Sequence, residues 1–370
     1  MRERTPLEVQ IHTGDQQSLV YPPLRPPFAS HAATAAFIGL VLFLLALPIL
    51  ITVTGLVKRQ NSYELMSEEH GGYSFIRSEI FESADDIDML FIGSSIQWNA
   101  VDTPIVQESL SRVLGRQAHV VSFGFNFNGI DVPYYMLRDV LERKRVRVVV
   151  LSLPRLPYHD GPNPTTYKFV RHGEFDDVAS RLPLRYRAAQ YAGSVLRSPH
   201  DILSMVRRSK IRESKFTVDL GANKEFMGMG RDRATFTAFA PAHPRVQPET
   251  LVNRATNNAI QFSDEGLPYY QDFYLAEIIR LLDETDTRLV ILNVPQYNER
   301  NNSVIRETVN FEKRFQRQIS IVGIAPTELF SGLTESEVEL LHCDAYHFNA
   351  NGSTFFTSTI APALVEVFNR

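Results

Sequence analysis

The segment from Ala32 to Val57 constrains this 370-residue chain most, because its 26 residues are largely apolar and include no Asp, Glu, Lys or Arg. About 20 consecutive apolar helical residues cross the hydrocarbon core of a bilayer, and the bilayer tolerates a proline such as Pro48 in the span. A cleaved signal peptide is the alternative, but the 31 residues before the run and the length of the run disfavour it. We therefore expect a single-pass transmembrane helix at residues 32–57.

The regions that flank this run differ from it in composition. Residues 1–31 are polar and carry five prolines, which predicts a disordered tail. Residues 58–84 are expected to form a connector. Basic residues lie on both sides of the run, so the positive-inside rule does not fix its orientation; they are Arg2, Arg4, Arg25, Lys58 and Arg59.

Composition excludes several classes of protein. A net charge of −4 and a pI near 6.2 give no indication of a nucleic-acid partner. The single cysteine, Cys343, rules out an intramolecular disulfide and a cysteine-based zinc cluster. The ten histidines never occur as His-x-x-x-His, and the chain has neither a P-loop nor a dinucleotide fingerprint. We expect no metal and no cofactor.

Beyond residue 85, apolar runs alternate with amphipathic stretches. The predicted strands are Asp88–Ile92, His119–Phe123, Val146–Leu151 and Arg288–Asn293. The predicted helices are Thr103–Leu114, Pro133–Lys144, Tyr269–Glu284, Val304–Ile319 and Asn351–Phe368. Continuous apolar strands alternating with helices indicate an α/β domain at residues 85–370, with a parallel sheet covered on both faces.

Residues 155–262 break this alternation and predict a helical or irregular insertion. Between Arg181 and Lys215 nine Lys or Arg face two Asp or Glu, a local net charge of +7. Two interpretations remain open. The stretch is either a solvated helical face, or a lid facing an anionic glycan or lipid headgroups.

Two short motifs contain the residues of a serine nucleophile site. Ser94 and Ser95 directly follow the first predicted strand, at the sheet edge where α/β folds bind ligands. Asp344 lies three residues before His347, a spacing that allows its carboxylate to reach Nδ1 and leaves Nε2 for a serine. The alternatives are a small residue in a tight turn for Ser95 and an ordinary surface turn for Asp344 and His347.

These motifs resemble those of the SGNH (GDSL-like) hydrolase superfamily over residues 85–155 and 288–368. Gly93-Ser94-Ser95 stands where that family has Gly-Asp-Ser, and Asp344-x-x-His347 matches its carboxy-terminal block. The resemblance implies a three-layer, flavodoxin-like fold. It also implies that Ser95 is the nucleophile, His347 the base and Asp344 the carboxylate that orients it.

The Gly-Ser-Ser form and the amino-terminal anchor look most like a membrane-attached branch of the family. Its members include the alginate O-acetylation proteins and the D-alanyl-transfer protein of teichoic-acid modification. The resemblance implies a serine acyltransferase or esterase in the bacterial cytoplasmic membrane. Its main domain would lie in the periplasm or elsewhere outside the cytoplasm. The implied acceptor is a cell-surface polysaccharide, and the implied partner is a membrane-bound O-acyltransferase or another membrane complex.

The residues that would stabilise an oxyanion are less clear. Gly124, Asn126, Asn128 and Gly129 follow the second strand, although alternating Phe and Asn there also fit a strand with one buried face. The third strand ends in Ser152-Leu153-Pro154-Arg155, without the asparagine that the family has, and Arg155 is one candidate to replace it. Two other hypotheses therefore remain, a non-catalytic accessory subunit of a membrane complex and a glycan-binding module that uses the basic region.

Overall fold

The computed structural model describes residues 30–66, 71–126, 129–154, 160–172, 176–207, 251–253 and 260–370. The chain divides into two compact units, residues 1–45 and 46–370. The first helix, α1 (His31–Thr54), begins in the first unit and ends in the second. Its 24 residues include an 18-residue window with a mean hydropathy of 2.8, and the helix is long and apolar enough to cross a membrane.

The second unit alternates strands and helices. In chain order its described elements are α2 (Arg59–Glu64), α3 (Tyr73–Phe81), β1 (Ile87–Gly93), α4 (Ser95–Ala100), α5 (Thr103–Leu114), β2 (Val120–Gly124), α6 (Asp131–Leu141), β3 (Val146–Leu151), α7 (Asp177–Ser180), α8 (Leu184–Arg207), β4 (Val252–Asn253), β5 (Ile260–Phe262), α9 (Tyr269–Glu284), β6 (Arg288–Leu292), β7 (Ile305–Glu307), α10 (Phe311–Phe315), β8 (Ser320–Val322), α11 (Pro326–Leu329), α12 (Glu335–Glu339) and α13 (Ala350–Asn369).

The main sheet has the strand order β2-β1-β3-β6-β8-β4. Its first five strands are parallel, and the two-residue β4 pairs antiparallel with β8 at the edge. Strands β5 and β7 form a separate parallel pair. The predicted α/β architecture with a parallel sheet is confirmed.

Each face of the sheet carries its own hydrophobic core. Leu90 and Ile92 of β1 belong to a core shared with helices α3, α6 and α9. Met89 and Phe91 point the other way, into a core shared with α5 and α13. Because successive side chains of a strand point to opposite faces, a fully apolar strand is the sequence that two cores require. The result is three layers, helices on both sides of one sheet.

The prediction of a helix over Val304–Ile319 is wrong. Ile305–Glu307 forms β7, and only Phe311–Phe315 is helical. The side chain of Asn310 caps this short helix by accepting from the Lys313 N–H, and Gln316 ends it with a left-handed φ of 53°. Pairing with β5, which lies more than 40 residues earlier, overrides the local helical pattern. Strand β8 follows, and the sequence analysis did not predict it.

Residues 58–84 are more than a connector, because they contain α2 and α3. Tyr63, Tyr73, Ile76 and Ile80 from these helices are buried in the core beside α6. The Tyr63 hydroxyl donates to the Asp139 carboxylate of α6 at 2.9 Å. The described part of the 155–262 insertion also joins the domain, through Phe169, Val170 and Tyr186 in the same core.

Gly352, in the first turn of α13, provides a test of how this helix docks. A Cβ at this position would lie 2.0 Å from the backbone oxygen of Leu341. We expect Gly352→Ala to destabilise the protein by about 1–3 kcal/mol, because a main-chain oxygen cannot move aside as a flexible side chain can. Thermal unfolding followed by the fluorescence of Trp98, the single tryptophan, measures this.

Gly193→Ala is the matched control, because its Cβ would meet Tyr167 at an ordinary 3.7 Å inside helix α8. We expect this variant to melt at or slightly above the parent temperature, since alanine favours a helix. Equal melting temperatures for Gly352→Ala and the parent would contradict the close approach.

Candidate active site

The turn between β1 and α4 places Ser95 at the carboxyl edge of the sheet. Gly93 is the last residue of β1, Ser94 is the extended N-cap residue, and Ser95 is the first residue of α4. A Cβ at Gly93 would lie 2.1 Å from Oε1 of Gln97. Glycine at this position therefore allows the first turn of α4 to lie directly against the end of the strand.

The buried side chain of Gln97 fixes this turn to the neighbouring strand. Its Nε2 donates to the Val150 carbonyl and its Oε1 accepts from the Ser152 N–H, both at 3.0 Å. One amide thus satisfies a donor and an acceptor at the end of β3. Sequence reasoning missed this role, because glutamine is usually exposed.

The other half of the site is the loop between α12 and α13. The Cys343 N–H donates to the His347 carbonyl at 2.8 Å, and the Asn349 N–H donates to the Leu341 carbonyl at 3.0 Å. Asn349 also caps α13 by accepting from the Gly352 N–H at 3.0 Å. These bonds close the loop and leave Asp344 and His347 on a fixed backbone.

Asp344 is bound by its own loop. Its Oδ1 accepts from the backbone N–H groups of Tyr346 at 2.7 Å and His347 at 2.9 Å. Its Oδ2 lies 2.9 Å from Nδ1 of His347. Partial burial acts to raise the pKa of Asp344, but the bonds from the Tyr346 N–H and the His347 ring outweigh it and lower that pKa. The carboxylate is therefore ionised at neutral pH, and Nδ1 carries the proton that it accepts.

The opposite nitrogen of the ring meets the serine. Nε2 of His347 lies 2.9 Å from Oγ of Ser95, across 252 residues of sequence. Because Nδ1 carries the proton, Nε2 is the acceptor for the serine hydroxyl. The predicted meeting of Ser95, His347 and Asp344 is present as one chain of hydrogen bonds. The side chain of His347 is 13% exposed, and that of Asp344 is 44% exposed.

Helix α13 brings the two halves together. The hydroxyl of Thr357 donates to the Ala100 carbonyl at 3.0 Å and accepts from the Asp102 N–H at 2.9 Å. These residues end α4 and precede α5. The helix that begins just after His347 is thus hydrogen-bonded to the end of the helix that begins with Ser95.

No protein-family model matches this chain, and comparison with curated proteins finds no match. The site is therefore interpreted from its own geometry.

The two glycine candidates for an oxyanion hole have packing reasons to be glycine. A Cβ at Gly124 would lie 2.1 Å from the indole of Trp98, and one at Gly129 would lie 2.9 Å from Oδ1 of Asp131. Asn126 is half-buried just after β2. Asn128 and Arg155 lie outside the described residues.

Two further strands end near this edge, and polar groups that follow them are hydrogen-bonded to residues 306–308. The Pro154 carbonyl, just after β3, accepts from the Thr308 hydroxyl at 3.0 Å. Asn293 directly follows β6, but its amide donates to the Arg306 carbonyl at 2.8 Å and to Glu307 at 2.7 Å. Within residues 152–154 no asparagine is present to complete an oxyanion hole.

The described residues include no candidate metal centre. Among these residues no group of three or more His, Cys, Asp or Glu side chains is placed to hold a metal ion.

A second histidine of the same loop, His342, is buried in an aromatic setting that sequence reasoning missed. Its ring lies over Phe348 with centroids 4.5 Å apart, and its Nδ1 donates to the Val338 carbonyl at 2.8 Å. Its Nε2 is buried and has no hydrogen-bond partner among the described residues. Burial lowers the pKa of His342 to about 4. This histidine is therefore neutral in the folded protein at neutral pH.

His342 should make the domain sensitive to acid. The pKa is about 6.5 when the chain is unfolded and about 4 when it is folded, so between these values the unfolded chain binds the proton and stability falls as pH falls. Across this pH range the protonation of His342 in the unfolded chain lowers the free energy of unfolding by roughly 3 kcal/mol. We expect His342→Phe, which cannot take up a proton, to lose less stability than the parent between pH 6.5 and pH 4.

Apparent melting temperatures across this pH range measure the effect. His200→Gln is the control, because the His200 side chain is 81% exposed, and it should follow the parent curve. Parallel curves for the parent and His342→Phe would show that His342 is not protonated on unfolding.

Proposed function

We propose that this protein is a membrane-anchored serine acyltransferase or esterase. The observation that carries the proposal is the hydrogen-bonded chain from Ser95 through His347 to Asp344 at the carboxyl edge of the parallel sheet. A serine hydroxyl is a weak nucleophile until an imidazole accepts its proton, and the imidazole needs a third group to hold it. This geometry supplies both, and it agrees with the resemblance to the SGNH superfamily.

The reaction follows from the positions of these atoms. Oγ of Ser95 attacks the carbonyl carbon of an acyl donor while Nε2 of His347 takes the hydroxyl proton. The bond to the leaving group then breaks, and His347 returns that proton to the leaving group. An acceptor hydroxyl attacks the acyl-serine in the same way, giving its proton through His347 back to Ser95. Asp344 holds the ring and stabilises its transient positive charge.

One donor to the developing oxyanion comes from the turn itself. The backbone N–H of Ser95 belongs to the first turn of α4, where N–H groups have no partner within the helix. Further donors are proposed among Gly124, Asn126, Asn128, Gly129 and Arg155. Each missing donor typically costs on the order of 10²–10³ in rate, so this set decides how fast the enzyme is.

The proposed acyl group and acceptor come from the resemblance. They are acetyl and a hydroxyl of a cell-surface polysaccharide, with a membrane-bound O-acyltransferase as the partner. Helix α1 supports a single-pass anchor, which we place in the bacterial cytoplasmic membrane with the site in the periplasm. Transfer exceeds hydrolysis only where the acceptor is held close and water is excluded.

A non-catalytic accessory subunit is the second candidate. It is favoured by the end of β3, where residues 152–154 offer no asparagine, and by the engagement of the Asn293 amide with Arg306 and Glu307. On this alternative the triad, formed by Ser95, His347 and Asp344, has no catalytic role.

A serine-directed fluorophosphonate separates the two candidates. We expect the parent to be labelled and Ser95→Ala to be unlabelled, because the reagent reacts with a serine that an imidazole activates. Ser94→Ala is the matched control and should keep its labelling, since the Ser94 side chain makes no capping hydrogen bond to α4. A parent chain that is never labelled would favour the accessory subunit, and labelling that persists in Ser95→Ala would exclude Ser95 as the nucleophile.

The role of Asp344 is tested by Asp344→Asn. The neutral amide no longer favours the Nδ1–H form of His347, so we expect labelling to slow by about 10⁴, the size of effect known for the wrong tautomer in a Ser-His-Asp triad. Labelling rates from stopped time courses measure this change. Asp286→Asn is the control, because Asp286 is exposed and asparagine tolerates its left-handed φ of 52°. A rate for Asp344→Asn equal to that of the control would remove Asp344 from the mechanism.

A further inference from the structure

Helix α8 (Leu184–Arg207) packs a polar face against the rest of the domain. Tyr186, Gln190, Ser194, Ser198 and Asp201 are buried at helical spacing. A surface helix of a soluble protein normally buries its apolar stripe and exposes its polar one. This helix does the reverse.

The side chains of four of these buried residues are hydrogen-bonded; they are Tyr186, Gln190, Ser194 and Asp201. Tyr186 donates to the Asp160 carboxylate, and Nε2 of Gln190 donates to the Tyr270 hydroxyl at 2.9 Å. Asp201 accepts from the Tyr167 hydroxyl at 2.9 Å. Because these bonds depend on the polar side of α8 facing inward, they fix the rotation of the helix about its axis.

The opposite side of α8 is a continuous apolar row, here called the outward stripe. Its members recur at intervals of three or four residues and are all exposed: Leu184, Ala188, Ala192, Leu196, Pro199 and Leu203. Leu184 is 77% exposed, Leu196 79% and Leu203 46%. Single exposed leucines need no explanation, but a row of them along one helix marks an interaction surface.

The position of α8 indicates which surface this is. A cavity within the second unit is lined on one side by Pro48, Ile51 and Thr52, from the last part of α1, and on the other by Ser194 and Ser198 of α8. A second cavity, of about 380 Å³, brings Ile49 of α1 together with residues at the start of α8. Helix α8 therefore lies beside the last part of α1, where the candidate membrane span ends.

The charges that flank the outward stripe fit an anionic bilayer surface. Arg185, Arg187 and Arg197 are exposed on α8. Arg185 is 68% exposed, although Asp160 lies 3.7 Å away. The helix has one acidic residue, Asp201, and its buried carboxylate accepts from the Tyr167 hydroxyl. Exposed arginines beside an apolar row are the pattern of a helix that lies in a lipid interface.

We propose that α8 lies on the membrane as a second lipid contact, with the outward stripe in the headgroup and acyl boundary. The inference rests on the proposed membrane anchor. It resolves the two interpretations of the basic segment in favour of lipid headgroups for its α8 part. It also gives the domain a fixed orientation, because a helix that lies flat restrains rotation in a way that one spanning helix cannot.

Depth-dependent fluorescence quenching tests this in the full-length chain. Single cysteines carrying an environment-sensitive dye are placed in a Cys343→Ser background, by Leu196→Cys on the outward stripe and Val113→Cys on α5. Val113 is the matched control, because it is an exposed apolar residue at 51% on another helix. The protein is reconstituted in vesicles of phosphatidylethanolamine and phosphatidylglycerol, with or without doxyl-labelled phosphatidylcholine.

We expect quenching at position 196 to be at least about twice that at position 113, because an interfacial helix buries its apolar face about 5–10 Å into the boundary. Equal quenching at the two positions would overturn the proposal. Protection of position 196 from aqueous iodide without quenching by doxyl lipid would also overturn it, and would show that a protein covers the outward stripe.

A third probe separates this inference from the anchor on which it rests. The dye at Leu42→Cys, in the middle of α1, should be quenched strongly if α1 is inserted. Quenching at 42 without quenching at 196 rejects the α8 contact and keeps the anchor. No quenching at 42 rejects both, and in each case the fluorophosphonate experiment still tests the catalytic triad separately.

Discussion

The hydroxyl of Thr357 binds the two halves of the candidate site together, and the other features of the site depend on that contact. It bridges the Ala100 carbonyl and the Asp102 N–H, and the turns of α13 around it bury Phe356 and Ile360 in the core that also holds α5. Bringing residues 252 positions apart into hydrogen-bond distance opposes the conformational entropy of the chain. A docked helix offsets that cost with many small contacts, whereas the bond between Ser95 and His347 contributes only about 1 kcal/mol by itself.

The surroundings of the triad show how a polar site is held in place inside a largely apolar domain. Gln97 satisfies both free backbone groups at the end of β3, and Asn349 caps α13 while closing the loop that carries His347. Asp344 receives backbone hydrogen bonds that keep it ionised. Buried polar groups that are fully paired make an arrangement rigid, and rigidity is what proton transfer between fixed atoms requires. His342 is an exception, with one buried ring nitrogen unpaired among the described residues.

The proposed membrane contacts complement the proposed chemistry. An acyl donor delivered by a membrane protein is available only near the bilayer, and an enzyme tethered there meets it at a high effective concentration. A tether alone leaves the domain free to turn. A second contact through α8 would limit that freedom, so that the domain presents its site in one orientation. The proposed contact would also cover the apolar row that α8 exposes.

By itself the sequence determined the features that depend on neighbouring residues. Continuous apolar runs identified β1, β2, β3 and β6, the uncharged run identified α1, and the spacing of Asp344 and His347 within one turn predicted their bond. Tertiary structure alone decided the features that depend on distant partners. Ile305–Glu307 is a strand because β5 lies beside it, α2 and α3 join the core, and Gln97 is buried because β3 ends with unpaired groups. The rotation of α8 about its axis could not be predicted from the sequence either, because helical periodicity alone would place its apolar row inward. Hydrogen bonds from α8 to hydroxyl and carboxylate groups of the domain hold its polar side inward instead, and the apolar row therefore faces outward.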